Sequence, residues 1–272
     1  MEKILLKDYF NDVDTEAYLE YYPANTNEKT EGILIFPGGG YWFCSNREGG
    51  KVAKVFNEKG FNCFVLYYKT LHFEFPFPLN EAMMAIAYIR KNADKYNIHS
   101  DHIGVMGFSA GGHLAASLAV HYNDENILNP LGLTQVDTKP NGLILAYPVL
   151  STKEDGHDGT THNITQDRED LKEYFHIFNH ISSDFPPTFV WNTRDDQMVS
   201  ATNSIRLMET LYFNNVICEY HCFPEGVHGL SICSLDNWKG EYMQPLNEQI
   251  IKDHEYCHDW IDEATKFIKR YI

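Results

Sequence analysis

Ile103-Gly104-Val105-Met106-Gly107-Phe108-Ser109-Ala110-Gly111-Gly112-His113 decides how this chain folds. An apolar run leads to a glycine, a serine follows two positions later, and two further glycines open into Leu114-Ala115-Ala116. Gly107 to Gly111 fit G-x-S-x-G, the pattern of a sharp turn between a strand and a helix that lifts a serine hydroxyl clear of a sheet. The flanks supply that context. Residues 103–106 read as a buried strand, and Ala110–Tyr122 as a helix whose positive end points at the serine.

Outward from this turn, short β-branched or aromatic runs alternate with helical patterns. The predicted strands are Gly32–Phe36, Asn62–Tyr68, Ile103–Met106, Gly142–Tyr147, Thr188–Trp191 and Val216–Phe223. Several lack polar alternation, as strands buried on both faces do. An N-terminal hairpin is expected from Lys3–Phe10 and Glu16–Tyr22. The predicted helices are Lys51–Lys59, Leu79–Tyr96, Ala110–Tyr122, Ala201–Phe213 and Asn247–Tyr271. The alternation implies an α/β fold: a mostly parallel sheet of about eight strands with helices on both faces. Residues 1–272 read as one domain. Ser151–Pro187 is polar and long for a connection between neighbouring strands, so 151–187 is expected to form a small cap with an amphipathic piece at Glu169–Phe178.

A serine is a poor nucleophile without a base, an orienting acid and donors for the developing oxyanion. Phe36-Pro37-Gly38-Gly39-Gly40-Tyr41-Trp42 follows an early strand, and its glycines let backbone N–H groups approach a substrate oxygen. Asp195 and Asp196 lie just past a strand end, and His228 lies in the loop after the last clear strand. The chain order serine, acid, histidine is that of the α/β-hydrolases. Tyr41, Trp42 and the aromatic run Phe73–Phe77 are candidates for a substrate pocket, with core packing the better account of Phe75 and Phe77. His113 is expected to pack under the site. His254 and His258 stand four apart on a helix but lack the HExxH context of a zinc site, so no metal is expected. The run Gly38–Gly40 lacks dinucleotide-binding spacing, and no cofactor is expected.

The chain has 272 residues, 43% of them hydrophobic. Lys+Arg 22 against Asp+Glu 38 gives a formal charge of −16. So acidic a surface repels phosphate backbones and anionic lipid, which argues against nucleic-acid and membrane partners. The first apolar run, Ile4-Leu5-Leu6, is too short for a signal-peptide core. The six cysteines show no CxxC pair and read as reduced thiols. A cytoplasmic protein is expected, acting on a small molecule, with a homo-oligomer left open.

Phe36–Trp42, Ile103–Ala116 and Pro186–Asp196 resemble the acetylesterase and acetyl-xylan-esterase-like branch of the α/β-hydrolases, a branch related to the hormone-sensitive-lipase-like esterases. The resemblance runs from about Gly32 to the C-terminus. It implies Ser109 as nucleophile, Asp196 as orienting acid and His228 as base. It also implies an oxyanion hole from the N–H groups of Ala110 and of Gly39 or Gly40. Asp196 is preferred to Asp195 because Asp196-Gln197-Met198-Val199 matches the family's D-x-x-V-P. Two departures stand out: the usual histidine of H-G-G-G is Pro37, and the proline of D-x-x-V-P is Ser200. A serine carboxylesterase for short, acetyl-type esters, with acetylated carbohydrates as a candidate substrate class, is the implied activity. A prolyl-oligopeptidase-like peptidase and a non-catalytic binding protein are the alternatives.

Overall fold

The structure is a computed structural model that describes residues 2–10, 12–153, 155–235 and 247–272. Eight strands form one sheet: β1 (Glu2–Leu5), β2 (Tyr18–Tyr22), β3 (Thr30–Phe36), β4 (Asn62–Tyr67), β5 (Ile98–Phe108), β6 (Gly142–Ala146), β7 (Thr188–Thr193) and β8 (Cys218–Phe223). Their order is β1-β2-β4-β3-β5-β6-β7-β8. The pairs β1–β2 and β2–β4 are antiparallel and the rest are parallel. The expected α/β-hydrolase architecture is therefore present.

The helices are α1 (Gly50–Glu58), α2 (Leu79–Lys91), α3 (Ala110–His121), α4 (Glu125–Leu131), α5 (Gln135–Thr138), α6 (Asp158–Thr165), α7 (Glu169–Tyr174), α8 (Thr202–Phe213), α9 (Glu248–Asp253) and α10 (Trp260–Tyr271). Successive side chains of the central strands point to opposite faces, and both faces are covered. Leu34, Phe36, Val105 and Leu145 pack with α2, α3 and α8. Ile33, Ile35, Met106 and Ile144 pack with α1 and α10.

Topology places the site. From β3 the chain moves outward through α1 to β4, then crosses back through α2 to β5 on the other side of β3. The strand order thus reverses between β3 and β5, and the carboxyl ends of such a pair leave a crevice outside the sheet. Residues 38–40 follow β3 and Ser109 follows β5, so both open onto that crevice.

Several predicted boundaries are corrected. The first strand stops at Leu5, and Leu6–Asp8 form a 3₁₀ turn. The helix expected to reach Tyr96 ends at Lys91, where the Asn92 side chain donates to the Tyr88 carbonyl. The long C-terminal helix is broken into α9, a 3₁₀ turn Glu255–Asp259 and α10. At the break the His254 ring takes the Ile250 carbonyl at 2.7 Å, and Cys257 and Trp260 beyond it lie in the core. Residues 151–187 hold α6, α7 and a 3₁₀ turn Ile177–Asn179 in place of one amphipathic piece.

One buried acid ties the N-terminal layer to the sheet. Glu81 on α2 is fully buried, and its carboxyl accepts from the Thr15 hydroxyl at 2.5 Å and the Lys69 N–H at 2.6 Å. Burial pushes this carboxyl up to about 7, against the lowering effect of those hydrogen bonds. The folded chain then holds a proton that the unfolded chain releases at lower pH. Stability falls as pH rises from the ordinary carboxylate range to about 7, by about 3 kcal/mol in full. Glu81→Gln, which mimics the protonated acid, should remove most of that fall when urea midpoints are compared at mildly acidic and mildly alkaline pH. Equal pH slopes in the variant and the wild type would contradict the assignment.

Candidate active site

Ser109 sits between β5 and α3 with φ 53° and ψ −118°, a left-handed backbone that a side-chain-bearing residue rarely adopts. Two neighbouring glycines permit the turn. A Cβ on Gly107 would lie 2.2 Å from the Gly111 carbonyl oxygen, and one on Gly111 would lie 2.1 Å from that of Phe36. The turn is held by the Ser109 N–H donating to the Ala146 carbonyl at 3.0 Å, which ties it to β6.

The three residues expected to work together meet here. Ser109 Oγ lies 2.8 Å from His228 Nε2, and His228 Nδ1 lies 2.6 Å from Asp196 Oδ2. All three are buried. The other oxygen of Asp196 accepts from the N–H groups of Met198 at 2.8 Å and Val199 at 2.9 Å, so the carboxylate is clamped by its own loop. Asp195 is exposed and points elsewhere; its carbonyl accepts from the Gln197 side chain. The histidine loop is anchored by the Thr193 hydroxyl, which donates to the Gly226 carbonyl at 2.8 Å. A hydroxyl, an imidazole and a carboxylate in this series can move the hydroxyl proton onto the ring as the oxygen attacks an electrophile.

The glycine run after β3 faces the serine. A Cβ on Gly38 would lie 3.0 Å from Ser109 Cβ, so the backbones are in close approach. Gly39 and Gly40 have φ of 124° and 64°. Ala110 opens α3, so its N–H is one of the four at a helix start with no carbonyl a turn earlier. Although Pro37 replaces the usual histidine, the loop is supported in other ways. Its carbonyl accepts from the Tyr68 hydroxyl at 2.5 Å, the Gly38 N–H donates to Glu48, and the Gly40 carbonyl accepts from Asn163 at 2.8 Å.

Tyr41 and Trp42 part company, which corrects one expectation. Tyr41 is fully buried, and its hydroxyl lies 2.7 Å from His113 Nδ1 beneath the site. A left-handed backbone at Tyr41 turns its ring inward. Trp42 is 63% exposed and lines the pocket. Phe75 and Phe77 pack against the core. His113 also contacts the Phe175 carbonyl through Nε2 at 3.0 Å, and burial pulls its ring down to about 4. His254 and His258 each turn Nδ1 onto a backbone carbonyl.

The pocket above Ser109 holds about 190 Å³. Trp42, Met198 and Val199 line it together with His157, Thr160 and Asn163 from the 151–187 segment. Sequence reasoning missed these last three, and also Glu48 and Tyr147. His157 Nδ1 accepts from the Thr160 N–H at 3.2 Å, capping α6. Burial, reinforced by His228, lowers its readiness to charge, and because Nδ1 accepts, the neutral ring carries its proton on Nε2. The pocket thus carries a neutral donor beside His228.

The BD-FAE family model matches residues 20–211. The chain is 34% identical over 231 residues to Endo-1,4-beta-xylanase B of Butyrivibrio fibrisolvens, covering 80% of this chain and 36% of that protein. It is 27% identical over 229 residues to the acetylxylan esterase of Xylanibacter ruminicola, covering 81% of this chain and 45% of that one. The chain therefore spans less than half the length of these curated relatives. The acetyl ester-xyloside bifunctional hydrolase of Caldicellulosiruptor lactoaceticus superposes with a TM-score of 0.79 at 30% identity, over 97% of this chain and 96% of that one.

An activated serine should phosphonylate. A fluorophosphonate probe is expected to label Ser109, and Ser109→Ala should abolish labelling. Asp196→Asn should slow it by roughly 10³–10⁴-fold, the scale of losing an orienting carboxylate, while Asp195→Asn labels close to the wild-type rate. Mass spectrometry of the labelled peptide checks the site; label on another serine, or the reverse ranking of the two acids, would refute the arrangement.

Proposed function

The chain belongs to the BD-FAE family and carries the α/β-hydrolase fold, and on that premise we propose that it is a serine carboxylesterase for short acyl esters, acetyl above all. The observation that carries this is the continuous hydrogen-bonded series Ser109–His228–Asp196 opening onto a small pocket. In the proposed reaction Ser109 Oγ attacks the acyl carbon while His228 Nε2 takes the hydroxyl proton. Asp196 orients the ring and stabilises the imidazolium. The oxyanion accepts from the N–H of Ala110 and of Gly39 or Gly40; one such donor is worth about 3–4 kcal/mol in other serine hydrolases. The intermediate collapses, His228 hands the proton to the departing alcohol, and water then attacks the acyl-enzyme by the same steps in reverse.

The pocket supports a small acyl group, being below the roughly 300–1,000 Å³ of drug-sized sites. On the alcohol side, an acetylated carbohydrate is proposed. The exposed Trp42 offers an aromatic face, and His157 and Asn163 put polar side chains in the pocket wall. The acetylxylan esterase among the relatives is consistent with that class. No helix among the described residues is long and apolar enough to cross a membrane.

Among p-nitrophenyl esters, kcat/KM should be highest for acetate and drop steeply beyond butyrate, and the matching acetanilide should be a poor substrate. A flat acyl-length profile, or comparable anilide cleavage, would overturn the assignment. His157→Phe should lower kcat/KM more for acetylated xylo-oligosaccharides than for p-nitrophenyl acetate. Equal losses on both would remove His157 from recognition of the alcohol.

A further inference from the structure

We propose that Glu48 is a positioning residue of this site, coupling the loop that binds the oxyanion to the loop that carries the histidine. The proposal rests on the hydrolase reading above. Arg47 and Glu48 form part of a short 3₁₀ turn, Asn46–Glu48, ten residues after Gly38, and each is only 3% exposed. Adjacent charged residues are seldom buried unless their partners are built in. Glu48 sends its two oxygens to two different parts of the site. Oε2 accepts from the Gly38 N–H at 2.9 Å, and Oε1 accepts from the Tyr147 hydroxyl at 2.6 Å.

The first bond fixes the peptide plane at the start of the glycine run. Gly39 and Gly40 follow directly, and their left-handed backbones have no side chain to hold them. Only donors aimed at the oxyanion before it forms stabilise it without a reorganisation cost. The second bond reaches the histidine. Tyr147 packs its ring edge-on against the His228 ring, with centroids 4.9 Å apart, and its oxygen accepts from the Ser231 N–H at 3.0 Å. Arg47 runs beside this path: its Nη1 donates to the Gly229 carbonyl at 2.9 Å, and its own carbonyl accepts from the Ser231 hydroxyl at 2.8 Å. The turn at residues 47–48 therefore grips residues 38, 147, 229 and 231, which bracket the nucleophile on both sides.

The chemistry demands a carboxylate. Gly38 N–H and Tyr147 O–H are both donors, so the residue between them must accept twice. Glutamine of the same shape offers one carbonyl oxygen and one NH₂ group. Its amide either faces the Gly38 N–H, donor against donor, or faces the Tyr147 oxygen and leaves the tyrosine proton without an acceptor. An unsatisfied buried donor is expensive, and the loops will shift to relieve it. In a Tyr147→Phe background the tyrosine donor is gone, so glutamine can give its oxygen to Gly38 without that conflict.

Glu48→Gln is therefore expected to lower kcat for p-nitrophenyl acetate by roughly tenfold or more, the size of a partly lost oxyanion donor, with KM within about twofold of the wild type. Sites are counted by exhaustive fluorophosphonate labelling, so that a loss of folded protein does not register as a loss of kcat. Tyr147→Phe alone should reduce kcat modestly, and the effect of Glu48→Gln in that background should shrink, giving coupling in kcat across the double-mutant cycle. A role confined to stability would lower the melting temperature while kcat per labelled site stays at the wild-type value; that result, or strictly additive effects on kcat, overturns the proposal. If wild-type protein is not labelled at Ser109, the hydrolase reading fails first and this one falls with it. Labelled wild type with an indistinguishable Glu48→Gln variant refutes the Glu48 role alone.

Discussion

Everything at this site depends on how closely three backbones approach at Ser109. The left-handed turn brings the ends of β3 and β5 and the start of α3 within contact, and Gly107 and Gly111 leave no Cβ in the way. A methyl group at either position would collide with a carbonyl oxygen at little more than 2 Å. No rotamer relieves such a clash, because the obstacle is main chain. The cost of the strained serine is met by the layers around it: β5 lies between β3 and β6 in the sheet, and α3 is buried along nearly its whole length. The same closeness that makes the turn possible also presses the Gly38 backbone against the serine, so the start of the glycine run is in direct contact with the nucleophile.

The remaining groups arrive on loops from distant parts of the chain, and the sheet alone does not align them. A second set of bonds does so. Thr193 and Gly226 join the acid strand to the histidine loop, Met198 and Val199 hold the carboxylate, and Arg47, Glu48, Tyr147 and Ser231 join the histidine loop to the glycine run. Most of these contacts are to backbone groups. That is physically sensible, because a loop is immobilised by fixing its peptide planes rather than its side-chain tips. Segment 151–187 adds a further tie through Asn163 to Gly40 and Gln166 to the Phe73 carbonyl, so the pocket wall and the glycine run are linked.

What could be seen in the sequence follows from range. The central strands were legible because burial on both faces leaves unbroken runs such as Gly-Ile-Leu-Ile-Phe at 32–36, and the turn at Ser109 because its constraint is local. Helix ends were less so: Asn92 caps α2 through its side chain, and the C-terminal helix breaks at the 3₁₀ turn Glu255–Asp259, where no glycine or proline marks it. Tyr41 and Trp42 show the limit sharply. They are adjacent and both aromatic, yet one is buried and one exposed, because a positive φ at Tyr41 redirects the chain. Arg47 and Glu48 carry no local signal, since charged pairs ordinarily face solvent. Apart from Gly38, ten positions before Glu48, the partners named here lie 99 to 184 positions away, which no local pattern reveals. α6 was hidden because its sequence, Asp-Gly-Thr-Thr-His-Asn-Ile-Thr, has few apolar residues to set a period.

Three histidines crowd the region, and their partners decide which can act as a base. His113 uses both ring nitrogens, one beside the Tyr41 hydroxyl and one on the Phe175 carbonyl, and burial keeps it neutral. It has no free nitrogen for a substrate or a serine. His157 turns Nδ1 to a backbone N–H, which makes that nitrogen an acceptor and leaves Nε2 as a donor; taking up a proton would break its cap on α6. Only His228 has one nitrogen on a carboxylate and the other on a hydroxyl. A proton gained at Nε2 then leaves an imidazolium whose other N–H already points at Asp196, so charging that ring breaks no existing bond and is matched by an adjacent negative charge. The histidines differ little in sequence terms. They differ in whether the surrounding structure tolerates a positive ring, and only the one between Ser109 and Asp196 meets that requirement.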